Sequence, residues 1–69
     1  MVEVFKTNVD SATQSDMLVQ ELLYYFPSGN INFDLDDCDK VLRVAAESFS
    51  PHAVIDILKR NGYEAEVLI

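Results

Sequence analysis

The fold is decided by residues 31–44, which read INFDLDDCDKVLRV. From Ile31 to Leu35 apolar and polar residues alternate strictly, which is typical of a strand with one buried and one solvent-facing side. A polar turn at residues 36–39 follows, and residues 40–44 then read as the hairpin partner, with Leu42 and Val44 directed inward. The sequence therefore predicts an antiparallel β-hairpin in the middle of the chain.

An amphipathic helix is predicted on each side of this hairpin. Over residues 15–26 apolar side chains recur every three or four positions, and Pro27 disfavours any continuation of the helix. On the other side, Ser50 and Pro51 form a helix start, because a serine hydroxyl can cap free N–H groups and proline fits the first turn. This second helix is expected to end at Gly62, since glycine suits a left-handed C-terminal cap.

Two further extended runs lie outside the helices. Residues 2–8 are rich in β-branched and aromatic side chains, and residues 63–69 form the last run. The order β-α-β-β-α-β predicts an α+β, ferredoxin-like sandwich, in a single domain over residues 1–69. Right-handed crossovers place both helices on one face of a four-stranded antiparallel sheet, and the open face is lined by Lys6, Asp34 and Arg43.

The predicted topology gathers three turns at one end of the sheet. They comprise residues 9–16, 36–39 and 61–63, which we expect to be near neighbours. Within the first turn, Ser11 and Gln14 fit a capping box, in which each side chain satisfies a free N–H group at the helix start.

Charge and composition exclude several classes of function. A net charge of −7 with five basic residues would repel phosphate backbones, so no nucleic acid is expected as a partner. No apolar run approaches the roughly 18 residues of a membrane span, and the first residues lack the basic and apolar regions of a signal peptide. We therefore expect a cytoplasmic protein without membrane insertion. Its acidic surface suits a basic protein surface or a cation, but such a surface is also common in soluble proteins that bind no charged ligand.

The reactive side chains do not indicate an enzyme. His52 is the single histidine, and it is predicted to lie at the opposite end of the molecule from Cys38, so the two cannot form a nucleophile-base pair. Gly29 and Gly62 are far apart and each has a turn to explain it, which leaves no phosphate-binding loop. One cysteine also excludes an intrachain disulfide. We expect neither catalysis nor a resident cofactor.

Acidic residues cluster around the hairpin turn, at Asp34, Asp36, Asp37 and Asp39. A calcium-binding EF-hand loop starting at Asp34 would need glycine at its sixth position and glutamate at its twelfth, where this chain has Asp39 and Ala45. Aspartate suits turns, so a solvated hairpin tip is predicted, with a weak hard-cation site as the alternative.

Two segments carry a resemblance to a known family. Residues 31–35 (INFDL) and 54–67 (VIDILKRNGYEAEV) resemble the second strand and the closing helix-strand unit of heavy-metal-associated domains. That family includes copper chaperones and the amino-terminal domains of metal-pumping ATPases. The helix over residues 15–23 also fits the family's apolar spacing, so the resemblance covers nearly the whole chain. It implies the βαββαβ fold and, in the family, a metal held by the two thiols of a Met-x-Cys-x-x-Cys motif.

Those thiols are absent from this chain. In the alignment that the resemblance implies, Asp10 falls at the methionine, Ala12 at the first cysteine and Ser15 at the second, while Tyr63 matches an aromatic position beside the thiols. A methyl group and a hydroxyl cannot replace the thiolates that copper(I) and zinc use in such sites.

Two functions therefore remain open. The first is a module for protein interaction or self-association, which would use the open sheet face, the edge of the fourth strand or the acidic end. The second is an atypical metal-binding or metal-trafficking domain, in which Cys38 and the nearby Asp36, Asp37 and Asp39 hold copper or zinc, including across a dimer. The alternative for Cys38 is a bystander or partly packed thiol without a metal.

Overall fold

A computed structural model describes residues 1–68 as four strands and two helices. In chain order they are β1 (Val2–Thr7), α1 (Ala12–Tyr25), β2 (Asn30–Asp34), β3 (Val41–Ala45), α2 (Pro51–Arg60) and β4 (Ala65–Val67). This order confirms the predicted α+β, ferredoxin-like βαββαβ fold. Within residues 1–68, no helix has both the length and the apolar character needed to cross a membrane.

The four strands form one antiparallel sheet in the order β2-β3-β1-β4. In its centre, Phe5 of β1 lies opposite Leu42 of β3 on one side and Val67 of β4 on the other. Hence β3 and β1 are shielded on both sides, whereas β2 and β4 are the two edges of the sheet.

The core lies between this sheet and the two helices. Its largest fully buried side chains are Phe5, Val9, Leu22, Leu42, Val44, Val54 and Leu58. The predicted inward positions Leu42 and Val44 are therefore confirmed. On the opposite side of the sheet, Lys6, Asp34 and Arg43 are exposed, as predicted for the open face.

Some element boundaries differ from those predicted. Helix α1 begins at Ala12, as the cap predicted at Ser11 requires, whereas the apolar spacing from residue 15 marks only the part that packs on the core. Strand β4 has three residues instead of the whole run 63–69, because the N–H of Tyr63 is used to close α2. Ile69, included in the predicted strand, lies outside the described residues.

Both ends of α2 form as predicted. The Ser50 hydroxyl accepts a hydrogen bond from the N–H of His52 at 3.3 Å, and Pro51 is the first helical residue. At the other end Gly62 has a φ of +89°, a left-handed conformation that favours glycine.

Candidate functional site

The three turns meet at one end of the sheet, as the topology predicts. The N–H of Thr7 donates to the carbonyl oxygen of Asp39 at 3.0 Å, which ties β1 to the hairpin turn. The side-chain oxygen of Asn8 accepts from the N–H of Glu64 at 2.9 Å, which ties the first turn to the segment before β4. These contacts place the hairpin turn and the segment before β4 beside the end of β1.

Thr7 is a positioning residue that the sequence analysis missed. It is only 7% exposed, and its hydroxyl donates to the carbonyl oxygen of Lys40 while accepting from the N–H of Val9 at 3.2 Å. A polar residue at an inward position near a strand end is the signal that could have identified it, because such a hydroxyl must find partners among turn backbone groups. Thr7 thus fixes the hairpin turn relative to the first turn.

The three residues that the predicted alignment places at metal-ligand positions offer no pair of metal ligands. Asp10 and Ala12 are exposed, whereas Ser15 is 7% exposed. The Ser15 hydroxyl donates to the carbonyl oxygen of Ala12 at 2.9 Å, within the first turn of α1. Of the three residues, only Asp10 presents a side-chain metal ligand at the surface. A single carboxylate is a hard ligand unsuited to copper(I).

The predicted capping box is only half formed. The Ser11 hydroxyl accepts from the N–H of Gln14 at 3.3 Å, which confirms Ser11 as the N-cap of α1. Gln14 Oε1 does not accept the reciprocal bond from the Ser11 N–H, since this oxygen is buried without a hydrogen-bond partner among the described residues. Of the two capping-box bonds, the one accepted by the Ser11 hydroxyl is therefore the one that forms.

Tyr63 has a structural role at the end of α2. Its N–H donates to the carbonyl oxygen of Leu58 at 2.9 Å, and the N–H of Gly62 donates to that of Lys59 at 3.0 Å. These two bonds form a Schellman motif, in which the residue after the glycine packs back on the helix. The partly buried Tyr63 ring accordingly packs against the core, so closing the helix accounts for its position.

The hairpin tip brings three potential metal ligands together. One ligand atom from each of Asp37, Cys38 and Asp39 lies within 4.8 Å of the others, and the Cys38 thiol is free and exposed. Part of this geometry comes from the turn itself, because Asp37 Oδ1 accepts from the N–H of Asp39 at 2.8 Å. Asp39 Oδ1 also lies 3.9 Å from Lys6 Nζ.

Asp36 belongs to a different feature from these three residues. A groove of about 450 Å³ runs between α1 and β2, lined by Ser15, Asp16, Val19 and residues 31–36. Asp34 and Asp36 are recognisable in the sequence as part of the acidic cluster, but their position beside Asp16 and Val19 depends on α1 lying next to β2. We call this feature the β2 groove.

The histidine lies away from all of these residues. His52 is in the first turn of α2, which starts at the end of the sheet opposite the hairpin tip, whereas Cys38 is at the tip. The structure therefore does not bring these two residues together.

Comparison with known proteins adds no family assignment. No family model, curated protein or solved structure matches the chain. The resemblance to heavy-metal-associated domains stays a prediction from the sequence.

Proposed function

We propose that this chain is a non-catalytic protein-interaction module, built on a scaffold that resembles heavy-metal-associated domains but lacks their metal-binding thiols. The observation that carries the proposal is the open edge of β2, whose backbone groups are available to a further strand. An exposed sheet edge is a common docking surface, because an added strand gains main-chain hydrogen bonds.

The direction of these backbone groups follows from the register of the sheet. The nitrogen of Met1 donates to the carbonyl oxygen of Ala46 at 2.8 Å, and the N–H of Ala46 donates to that of Met1 at 3.0 Å. The two residues are thus a hydrogen-bonded pair of the β1–β3 ladder. Hydrogen-bonded and non-hydrogen-bonded pairs alternate along an antiparallel ladder, so every second residue of β3, counted back from Ala46, bonds to β1. Leu42 therefore directs its backbone N–H and C=O groups toward β1, and Arg43 directs its own toward β2.

The alternation continues across β2. Arg43 lies opposite Asn32, so Asn32 bonds to β3, and its neighbours Ile31 and Phe33 direct their N–H and C=O groups away from the sheet. Both side chains point toward the core side, where Ile31 is buried and Phe33 partly buried. The open edge of β2 therefore offers main-chain groups from a strand that the core holds firmly in place.

The proposal is tested by blocking each sheet edge in turn. A synthetic chain with N-methylated Phe33 loses an outward N–H of β2 without losing a ladder bond. The matched control carries N-methylated Val67, which blocks the edge of β4, because Leu68 bonds to β1 and Val67 must therefore point outward. Proteins retained by the immobilised chain are identified and purified, and their affinities for the three chains are measured.

The expected result is a partner whose affinity falls with N-methylated Phe33 and not with N-methylated Val67. Sedimentation equilibrium over a range of concentrations tests self-association in the same three chains. A chain that stays monomeric, and that binds every purified protein equally well in all three forms, would overturn the proposal.

One observation favours a second candidate, a metal-binding domain. The ligand atoms of Asp37, Cys38 and Asp39 are close enough to hold one ion, and a second copy of the chain would complete its coordination with another thiolate. Chelator competition with copper(I) and zinc, on the native chain and on Cys38→Ser, separates the two candidates. Sub-micromolar binding that disappears in Cys38→Ser would favour the metal function, whereas equal weak binding in both would remove it.

A further inference from the structure

The β2 groove has an apolar floor directly beside the open backbone of β2. Val19 of α1 and Phe33 and Leu35 of the strand and its extension are each only partly buried while they pack against the core. Ile31 completes the floor at the other end. A strand added to β2 would place every second side chain over these residues, because side chains alternate between the two faces of a sheet.

The charges that line this groove are all negative. Asp16, Asp34 and Asp36 line it and are exposed, and none of the basic residues within 1–68 belongs to its lining. Two cations bond to lining residues from outside the groove: Lys40 Nζ donates to the carbonyl oxygen of Leu35 at 3.1 Å, and Arg43 donates to Asn32 Oδ1 at 3.2 Å. Both acceptors are neutral, so these two charges offset only part of the field of the three carboxylates.

The groove beside the other sheet edge differs in charge and size. Between α2 and β4 lies a depression of about 250 Å³, which includes both Lys59 and Glu64 in its lining. Because the lining carries charges of both signs, it favours neither a basic nor an acidic ligand. Strand β4 has three residues, compared with five in β2, so it also offers a shorter backbone edge.

We propose that the β2 groove binds an extended, basic segment of a partner protein, which adds to the sheet as a strand beside β2. The segment alternates apolar residues, which cover Val19 and Phe33, with lysine or arginine, which face Asp34 and Asp36. This inference rests on the proposed function and specifies the chemistry of its partner.

A second copy of the chain is a poorer occupant of the same groove. Pairing β2 with its own copy would bring the three carboxylates of each groove, at Asp16, Asp34 and Asp36, toward those of the other. Like charges placed together at an interface oppose association and select against that partner. Charge complementarity instead selects a basic segment.

The probe is a blocked synthetic peptide of about seven residues that alternates lysine with valine, long enough to span β2 as an added strand. Binding to the full chain is measured by calorimetry at low salt, and its position by changes in the backbone amide signals of Ile31 and Phe33. Control peptides replace lysine with glutamate, or N-methylate the valines to prevent strand pairing.

The decisive variant combines Asp16→Asn, Asp34→Asn and Asp36→Asn. Its matched control removes three charges elsewhere, with Glu47→Gln, Glu64→Gln and Glu66→Gln, all exposed positions. We expect the groove variant to bind the lysine peptide roughly tenfold more weakly than the native chain does. The control variant should show a clearly smaller decrease in affinity for the same peptide.

Equal weakening in both variants would overturn the inference, because attraction would then come from the overall charge. Binding that perturbs the β4 signals, or that survives N-methylation of the peptide, would also overturn it. If the lysine peptide does not bind while the affinity of a purified partner still falls with N-methylated Phe33, the inferred basic segment is wrong and the proposed interaction function stands. If the peptide does not bind and no partner affinity or self-association changes with N-methylated Phe33, both proposals are wrong.

Discussion

At the scale of single residues, the turn before α1 shows how polar side chains are used to start a helix. Ser15, which the predicted alignment with heavy-metal-associated domains places at the second cysteine, is buried, and its hydroxyl donates to the carbonyl oxygen of Ala12. Ser11 caps the same turn. The chain in this turn uses its polar groups to satisfy its own backbone, which leaves Asp10 as the one exposed side-chain donor at these positions.

Introducing two thiols at the predicted motif positions tests the resemblance. The double variant Ala12→Cys with Ser15→Cys places two sulfurs one helical turn apart, where side chains are neighbours. We expect it to bind copper(I) in competition with a chelator, because copper(I) favours thiolate ligands. Ser15→Cys alone is the control and is expected to bind far more weakly. A folded double variant without binding would show that this turn is not aligned with the family's motif.

The buried hydroxyl of Thr7 gives a second test at this scale. Thr7→Val keeps the shape of the side chain but leaves the N–H of Val9 and the carbonyl oxygen of Lys40 without their partner. We expect the free energy of unfolding to fall by about 1–3 kcal/mol, the usual cost of buried groups left unsatisfied. Urea denaturation measures it, with the exposed Thr13→Val as control. An equal effect of the two variants would contradict the role of Thr7.

At the scale of elements, the order of strands and helices is predictable because each element carries its own signals. Strict alternation at residues 31–35 identifies β2, and Ser50 with Pro51 identifies the start of α2. The β2 groove is not predictable in this way. It depends on α1 lying beside β2, and the outward direction of the Phe33 backbone depends on the register between β1 and β3. These are relations between distant segments, and no local pattern encodes them.

The end of α2 tests how far one local signal fixes an element. Gly62 has a positive φ, and a Cβ atom there would meet nothing within 4 Å, so the cost of a side chain is purely conformational. We expect Gly62→Ala to lower the free energy of unfolding by about 1 kcal/mol, and Gly62→Asn by less, because asparagine tolerates this conformation better. Equal losses measured by urea denaturation would indicate steric contact instead.

At the scale of the whole molecule, the excess of acidic side chains opposes folding as well as shaping partner choice. The chain carries 12 acidic and five basic side chains, and the described residues form just two ion pairs, both partly exposed. Bringing so many like charges onto a small surface raises the free energy of the folded state through repulsion. A basic segment in the β2 groove would relieve part of this repulsion, which couples binding to stability.

Salt provides the test of that repulsion. Raising sodium chloride from about 10 mM to about 150 mM shortens the screening length from roughly 30 Å to roughly 8 Å, so repulsion between separated surface charges weakens. We expect Tm to rise by several degrees, since about 1 kcal/mol shifts Tm by about 4–8 °C in a domain of this size. The triple variant with Asp16→Asn, Asp34→Asn and Asp36→Asn should have a higher Tm at low salt than the native chain. Its Tm should also rise less on adding salt, because three of the repelling carboxylates have been replaced by neutral amides. An equal gain in both chains would show that these three carboxylates are not a source of the repulsion that salt screens.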